Sequence, residues 1–278
     1  MRDINKQPYQ PIIKWSGSKR KIAYDIKELL PKSTLRYFEP FVGGGSMIYV
    51  VEAQEKIASD INKPLIDLWN LIKINPDYLL ESYTRYWNLL NDAKNEESYK
   101  VFNEIRSKFN TTYNPEDLFF LSRTCVNGLI RFNKKGEFNN SLHYSRKGIA
   151  PERLDKVLKL WTNKIKNTEF IHMDYTETLN ILKKNDVIYL DPPYFHTKGM
   201  YYGSIDNETF LTYLDKLNSK GVKFILSFDG KTCDKDYTCN IPKELYKRHH
   251  YIYAGQSTFK KVIDKRANQV YESIYINY

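Results

Sequence analysis

The sequence predicts an α/β fold in which a mainly parallel sheet is interrupted by a long, mainly helical insertion. Two patterns carry this expectation. Apolar runs at 35–41, 55–60, 168–173, 186–190, 222–228, 249–254 and 270–277 read as strands separated by helical stretches. Between Asn62 and about Thr162 the pattern changes to long helical segments, such as Leu65 to Ile74 and Tyr78 to Asn91, followed by a polar, basic stretch from Asn133 to Gly148. The chain's 278 residues accommodate one large domain carrying an insertion. The expected division is residues 1–62 with 163–278 for the sheet domain and 63–162 for the insertion. The last two strands are spaced to pair as an antiparallel hairpin.

The first strand runs into Phe38-Glu39-Pro40-Phe41-Val42-Gly43-Gly44-Gly45-Ser46, and the apolar segment Met47 to Val51 that follows suits a helix. Gly43, Gly44 and Gly45 either let a ligand approach the backbone or simply form a tight turn. The spacing is not that of the G-x-G-x-x-G fingerprint, and no G-x-x-x-x-G-K-[ST] loop occurs, so a dinucleotide or a nucleoside triphosphate is not indicated. A smaller adenosine ligand fits better. Asp60 closes the second strand, where an acid commonly accepts ribose hydroxyls in nucleotide-binding sheets.

The most informative stretch is Asp191-Pro192-Pro193-Tyr194, directly behind Val187-Ile188-Tyr189-Leu190. Two prolines fix φ and remove N–H donors, so the chain leaves the sheet in an extended turn with carbonyl oxygens lacking local partners. An amino group conjugated to a heteroaromatic ring becomes a better nucleophile when acceptors bind its two hydrogens and localise the nitrogen lone pair. The Asp191 carboxylate and the Pro192 carbonyl can be those acceptors, and Tyr194 can stack on the ring and hold it in line with an electrophile. Taken alone, the tetrapeptide is equally compatible with a plain loop.

Lys plus Arg number 43 against 33 acids, a net charge of +10, which suits a polyanionic partner and equally suits a Lys-rich solvated surface. Aromatic residues make up 15% of the chain and can stack on bases, although most of the 23 tyrosines are expected in strands and interfaces. Cys125, Cys233 and Cys239 have no metal-ligand spacing, and the His249-His250 pair has no carboxylate or cysteine at such spacing. No metal is expected. With no apolar stretch of signal or membrane-spanning length, a cytoplasmic protein with reduced thiols is expected.

Together and in this order, the motifs resemble the DNA adenine methyltransferases of the Dam and EcoRV type, the D12 class. The resemblance starts at Lys14-Trp15-Ser16-Gly17-Ser18-Lys19 and passes through the glycine loop and Asp60-Ile61-Asn62. It continues with Asn127-Gly128-Leu129-Ile130-Arg131-Phe132-Asn133 and Gly136-Glu137-Phe138-Asn139, and closes with Asp191 to Tyr194 and Val270 to Asn277. It implies a Rossmann-like S-adenosylmethionine-dependent methyltransferase sheet, with an inserted target-recognition domain containing a β-hairpin. It further implies methyl transfer to N6 of an adenine flipped out of double-stranded DNA. Asp191, Pro192 and Tyr194 would be catalytic. Trp15, Lys19, Phe41, Gly43, Gly44, Gly45, Asp60, Asp174, Tyr175 and Asp191 would line the cofactor site, although Asp174 also reads as a helix N-cap and Trp15 as a core residue.

Lys14, Asn127, Arg131, Asn133, Lys134 and Lys135 would face DNA. Arg131 can contact guanine bidentately and Asn127 or Asn133 can read adenine or phosphate, while Lys134-Lys135-Gly136 looks like a hairpin tip or a solvated turn. The chain departs from the family pattern at Asn139-Asn140-Ser141-Leu142-His143-Tyr144, where many relatives continue Asn-Val-Pro, so its target sequence is left open. The loop Phe195 to Ser204, with Met200, Tyr201 and Tyr202, is expected to order over bound DNA. Other planar amines, in cytosine, RNA or a glutamine side chain, are alternative acceptors, but enzymes acting on them favour Ser or Asn before Pro-Pro. A non-catalytic DNA-binding relative is the other alternative. The oligomeric state, monomer or weak dimer, is left open.

Overall fold

The computed structural model describes residues 9–94, 96–193, 205–232, 241–256 and 269–278. Among them, seven strands form one sheet: β1 (Arg36–Glu39), β2 (Glu55–Asp60), β3 (Thr168–His172), β4 (Val187–Leu190), β5 (Lys223–Thr232), β6 (Arg248–Gln256) and β7 (Gln269–Ile276). Their order is β3-β2-β1-β4-β5-β7-β6. β1 to β5 pair in parallel, and β7 runs antiparallel to both β5 and β6. All seven expected strands form, and the last two make the expected antiparallel pair. β5 extends beyond its expected end to Thr232, past an irregularity between Asp229 and Thr232.

This is a Rossmann-like sheet, and its topology positions the site. β1 and β4 are neighbours, while the chain continues from β1 to one side and from β4 to the other, so a crevice opens beyond their carboxyl ends. Every residue of β4 is buried, as expected for a parallel strand covered on both faces. Its side chains alternate between two hydrophobic clusters, Val187 and Tyr189 in one, Ile188 and Leu190 in the other.

After the short helices α1 (Ala23–Lys27) and α2 (Ser46–Val50), the longer helices owe their starts to local chemistry. Asn62 accepts from the Leu65 N–H at the start of α3 (Lys63–Ile74), and Asn75 from the Tyr78 N–H at the start of α4 (Pro76–Asp92). Prolines occupy the first turn of both, as they do in the later helices Pro115–Thr124 and Pro151–Ile165. On α3, Asn70 and Lys73 donate to the Phe170 and Thr168 carbonyls of β3, so the first helix of the insertion lies against the sheet. One hydrophobic cluster runs from Val187 and Ile225 in the sheet to Phe102, Phe119 and Trp161 in the insertion.

Where a helix was expected near Thr176, the chain forms a 3-10 segment, Tyr175–Asn180. Tyr175 and Thr178 are its buried residues, and a three-residue period is the one that superposes i and i+3 on one side. The hairpin tip forms as expected. Phe132 and Phe138 make an antiparallel bridge, the Asn133 N–H donates to the Glu137 carbonyl at 2.9 Å, and Lys134 and Lys135 stand exposed at the turn.

Candidate active site

β1 delivers Glu39, Pro40 and Phe41 to the crevice, and β4 delivers Asp191, Pro192 and Pro193. Between them the glycine loop enters α2 (Ser46–Val50), with Gly43 at φ +44° and Gly45 at φ +66°, the left-handed region that glycine adopts without strain. The close approach of tryptophans also demands glycine here. A Cβ on Gly43 would lie 2.7 Å from the Trp15 ring, and one on Gly45 would lie 2.8 Å from Trp69. The Trp69 indole N–H donates to the Gly43 carbonyl at 3.0 Å, bracing the loop from behind.

The resulting cleft encloses about 1010 Å³ of empty space, part of it open solvent. It brings together Trp15, Lys19, Phe41, Gly43, Gly44, Asp60, Asp174, Tyr175, Asp191 and Pro192. Gly45 stands behind this wall as the residue before α2. Tyr194 and the Phe195 to Ser204 loop, like Cys233 and Cys239, lie outside the described residues.

Charge in the cleft is arranged around desolvated carboxylates. Burial raises the Asp191 pKa, while Lys19, whose ammonium lies 2.7 Å from Asp191 Oδ1, pulls it back through charge and hydrogen bond. Lys19 is only 4% exposed, donates also to the Gly17 carbonyl at 3.2 Å, and lies 4.0 Å from Glu272 on β7. Asp60 accepts from the Asn62 N–H at 3.0 Å and the Gly43 N–H at 3.3 Å. Burial nevertheless lifts its pKa to about 6. Asp174 caps the 3-10 segment through Thr176, so its N-cap reading holds while it also faces the cleft. Tyr175 packs beside Phe41, with ring centroids 5.3 Å apart, and burial pushes its phenol up to about 12.

Glu39 has no place among the residues singled out from the sequence. It is 2% exposed, accepts from the Tyr37 hydroxyl at 3.2 Å and lines the cleft. Burial holds its carboxyl well above the usual range, the Tyr37 hydrogen bond works against that shift, and nearby Asp191 adds to it. Its position directly before Pro40 in the glycine-loop motif was the available signal.

A second, open cleft adjoins the first and shares Trp15 to Lys19 with it. Lys14, Arg20, Lys21, Asn127, Gly128 and Glu272 line it as well. Lys14 is held below its ordinary pKa, first by burial and then by the positive charges of Arg123 and Arg146. Arg123, also missed from sequence, is 5% exposed and donates to the Pro11 and Ile12 carbonyls at 2.9 Å, fixing the segment that leads to Lys14.

The hairpin residues lie outside both linings. Arg131 is exposed; its Nε donates to Asn139 Oδ1 at 2.9 Å and its Nη2 to the Asn139 carbonyl at 3.5 Å. The Asn133 side chain is committed to the turn: its oxygen accepts from the Lys135 and Glu137 N–H groups, and its nitrogen donates to Glu137 Oε2. Among the described residues no group of three or more His, Cys, Asp or Glu is placed to hold a metal ion. None of their helices is long and apolar enough to cross a membrane.

A family model described as D12 class N6 adenine-specific DNA methyltransferase matches residues 15–259. Type II methyltransferase M.MjaIII of Methanocaldococcus jannaschii is 29% identical over 97% of this chain and 99% of its own length. Type II methyltransferase M1.LlaDCHI of Lactococcus lactis subsp. cremoris is 27% identical over 99% of this chain and 97% of its own. A DNA adenine methylase of Vibrio cholerae is 32% identical over 66% of this chain and 64% of its own.

Proposed function

The chain belongs to the D12 class N6 adenine-specific DNA methyltransferases, and on that footing we propose that it transfers the methyl group of S-adenosylmethionine to an adenine turned out of double-stranded DNA. One observation carries the reading: Asp191, held by Lys19, lines the glycine-loop cleft, while Lys19 and its neighbours form the wall shared with the cleft of Lys14 and Asn127. Incubating the protein with labelled S-adenosylmethionine and assorted duplexes, then sequencing for modified adenine, tests the reaction and supplies the target. Label on cytosine, or on no base, contradicts it.

The first cleft fits the cofactor. Asp60 is a desolvated acid facing the cleft, suited to two ribose hydroxyls. Phe41 and Tyr175 provide an apolar wall for a purine, Asp174 an acceptor for its amino group, and Gly43 and Gly44 main chain at the cleft wall beside Trp15. When bound, the cofactor's sulfonium supplies an electrophilic methyl group. The chain's own residues then orient the acceptor. The Asp191 carboxylate and Pro192 carbonyl bind the two hydrogens of the adenine amine and localise its lone pair, Lys19 keeps Asp191 ionised, and Tyr194 is assigned to stack on the base. Asp191 works as an acceptor of hydrogen bonds more than as a strong base.

Because Asp60 titrates near about 6, its ability to accept from ribose hydroxyls is lost as pH falls through that value. Cofactor affinity should therefore weaken on acidification. Calorimetric titration between neutral pH and pH about 5 checks this, and a flat profile removes Asp60 from the cofactor site.

We assign duplex reading to the insertion, residues 63–162, with Lys14 and Asn127 beside the target base and Arg131, Lys134 and Lys135 along the flank. Asn133 then acts by shaping the turn that carries the two lysines. Arg131→Ala should relax discrimination at one base pair by about 1–3 kcal/mol, read from methylation rates on singly substituted duplexes. Equal weakening on every duplex would make Arg131 a phosphate contact instead.

A further inference from the structure

Tyr144 is 85% exposed, more than any other large hydrophobic side chain among the described residues. Exposed rings are common on protein surfaces, so exposure alone assigns nothing. What distinguishes this one is its backing. The ring stacks on His143 with centroids 5.0 Å apart and planes 18° from parallel, and His143 is itself only 7% exposed. His143 Nδ1 accepts from the Ser145 and Arg146 N–H groups at 3.2 and 3.1 Å, which locks the imidazole against its own turn.

The turn is anchored on both sides. The His143 N–H donates to the Thr124 carbonyl, Leu142 bridges to Cys125, and the Val126 N–H donates to the Ser141 carbonyl at 2.8 Å. Beyond the turn, Lys147 donates to the Leu90 and Ala93 carbonyls at 2.9 and 2.8 Å. Tyr144 is thus a flat ring presented to solvent on a fixed base, its ordering cost already met by the fold.

Its surroundings define the partner. The strand-like segment 141–143 runs beside 124–126, immediately ahead of Asn127 and Gly128 in the wall of the second cleft. Arg146, two residues on, is near enough to Lys14 in that cleft to act on its charge. An exposed aromatic face two residues from an exposed arginine suits a base step bordered by phosphates.

We propose that Tyr144, backed on one face by His143, meets the duplex at the step opened when the adenine leaves and stacks its free face on a base exposed there, holding the extruded state. This rests on the adenine reading above. Extrusion costs stacking and pairing energy, and an inserted ring returns part of it. Tyr144 is a positioning residue in this role, because it acts on the helix the base has left and not on the reacting nitrogen.

The test uses the full-length protein and two versions of its methylated sequence, one fully paired and one with an abasic site opposite the target adenine. On the paired duplex Tyr144→Ala should lower kcat/KM by about tenfold to a hundredfold, and Tyr144→Trp should restore most of it. On the abasic duplex, where pairing no longer holds the adenine in place, Tyr144→Ala should stay within about threefold of the wild type. Fluorescence of 2-aminopurine at the target position should rise on binding to the wild type and to Tyr144→Trp, and rise less with Tyr144→Ala. Equal losses on both duplexes, or no loss on either, overturn the role of Tyr144 while leaving the methyltransferase reading intact. A wild-type protein that methylates neither duplex overturns that reading, and this inference with it.

Discussion

Asp191→Ala should lower the rate of methyl transfer by at least about a thousandfold while leaving cofactor affinity within a few-fold of the wild type. The asymmetry follows from where the carboxylate stands. Asp191 follows the last residue of β4, one side-chain oxygen is taken by Lys19 at 2.7 Å, and the other has no hydrogen-bond partner among the described residues. The remaining acceptor capacity is what an incoming amine would use. The residues we assign to ribose and adenine recognition, Asp60, Asp174 and the Phe41–Tyr175 wall, are other residues of the same cleft. Alanine also strips a partner from a buried ammonium, although Glu272 at 4.0 Å and the Gly17 carbonyl remain to Lys19. Asp191→Asn, which keeps the shape, and a thermal unfolding curve for each variant separate lost chemistry from lost stability. Preserved turnover together with lost cofactor affinity would refute the assignment.

The second large effect lies outside the cleft lining. Trp69→Ala should destabilise the fold by about 3–5 kcal/mol, a substantial part of the about 5–15 kcal/mol typical of a domain. Trp69 is 0% exposed, lies parallel to Phe170 with centroids 5.2 Å apart, and tilts against Trp161 at 5.4 Å. Removing it empties a site between α3 and β3, orphans the Gly43 carbonyl and takes away the surface against which Gly45 sits. Cofactor binding should fall along with stability, because the glycine loop loses its brace. Trp69→Phe retains most of the volume and should give up about 1 kcal/mol for the hydrogen bond. Urea denaturation paired with calorimetric titration measures both quantities. A loss below about 1 kcal/mol with unchanged cofactor affinity would show that the loop holds its shape unaided.

Much of this architecture is written locally. The apolar runs that became β1 to β7 need only period and length to be seen, and the glycine loop and Asp191-Pro192-Pro193 announce turns through backbone chemistry alone. What the sequence hides is non-local. Glu39 reads as an ordinary acid at a strand end until β4 is known to lie beside β1, which brings Asp191 close enough to act on it. Arg123 lies near the end of the buried helix Pro115–Thr124, and nothing nearby in the chain reveals that it ties down the backbone at Pro11 and Ile12. Asn133 shows the opposite failure. Its side chain looks available for a base, yet every polar atom in it closes the turn Asn133–Glu137. The 3-10 segment Tyr175–Asn180 differs from the expected helix because two side chains three apart are both drawn into the core.

The stretch from Trp15 to Lys19 borders two chambers at once, one on the glycine-loop side and one on the side of Asn127. A partition can hold only one shape at a time. Any shift of that wall on filling one chamber changes the shape offered to the other. Thermodynamic reciprocity then requires the influence to be mutual and equal in size, whichever guest arrives first.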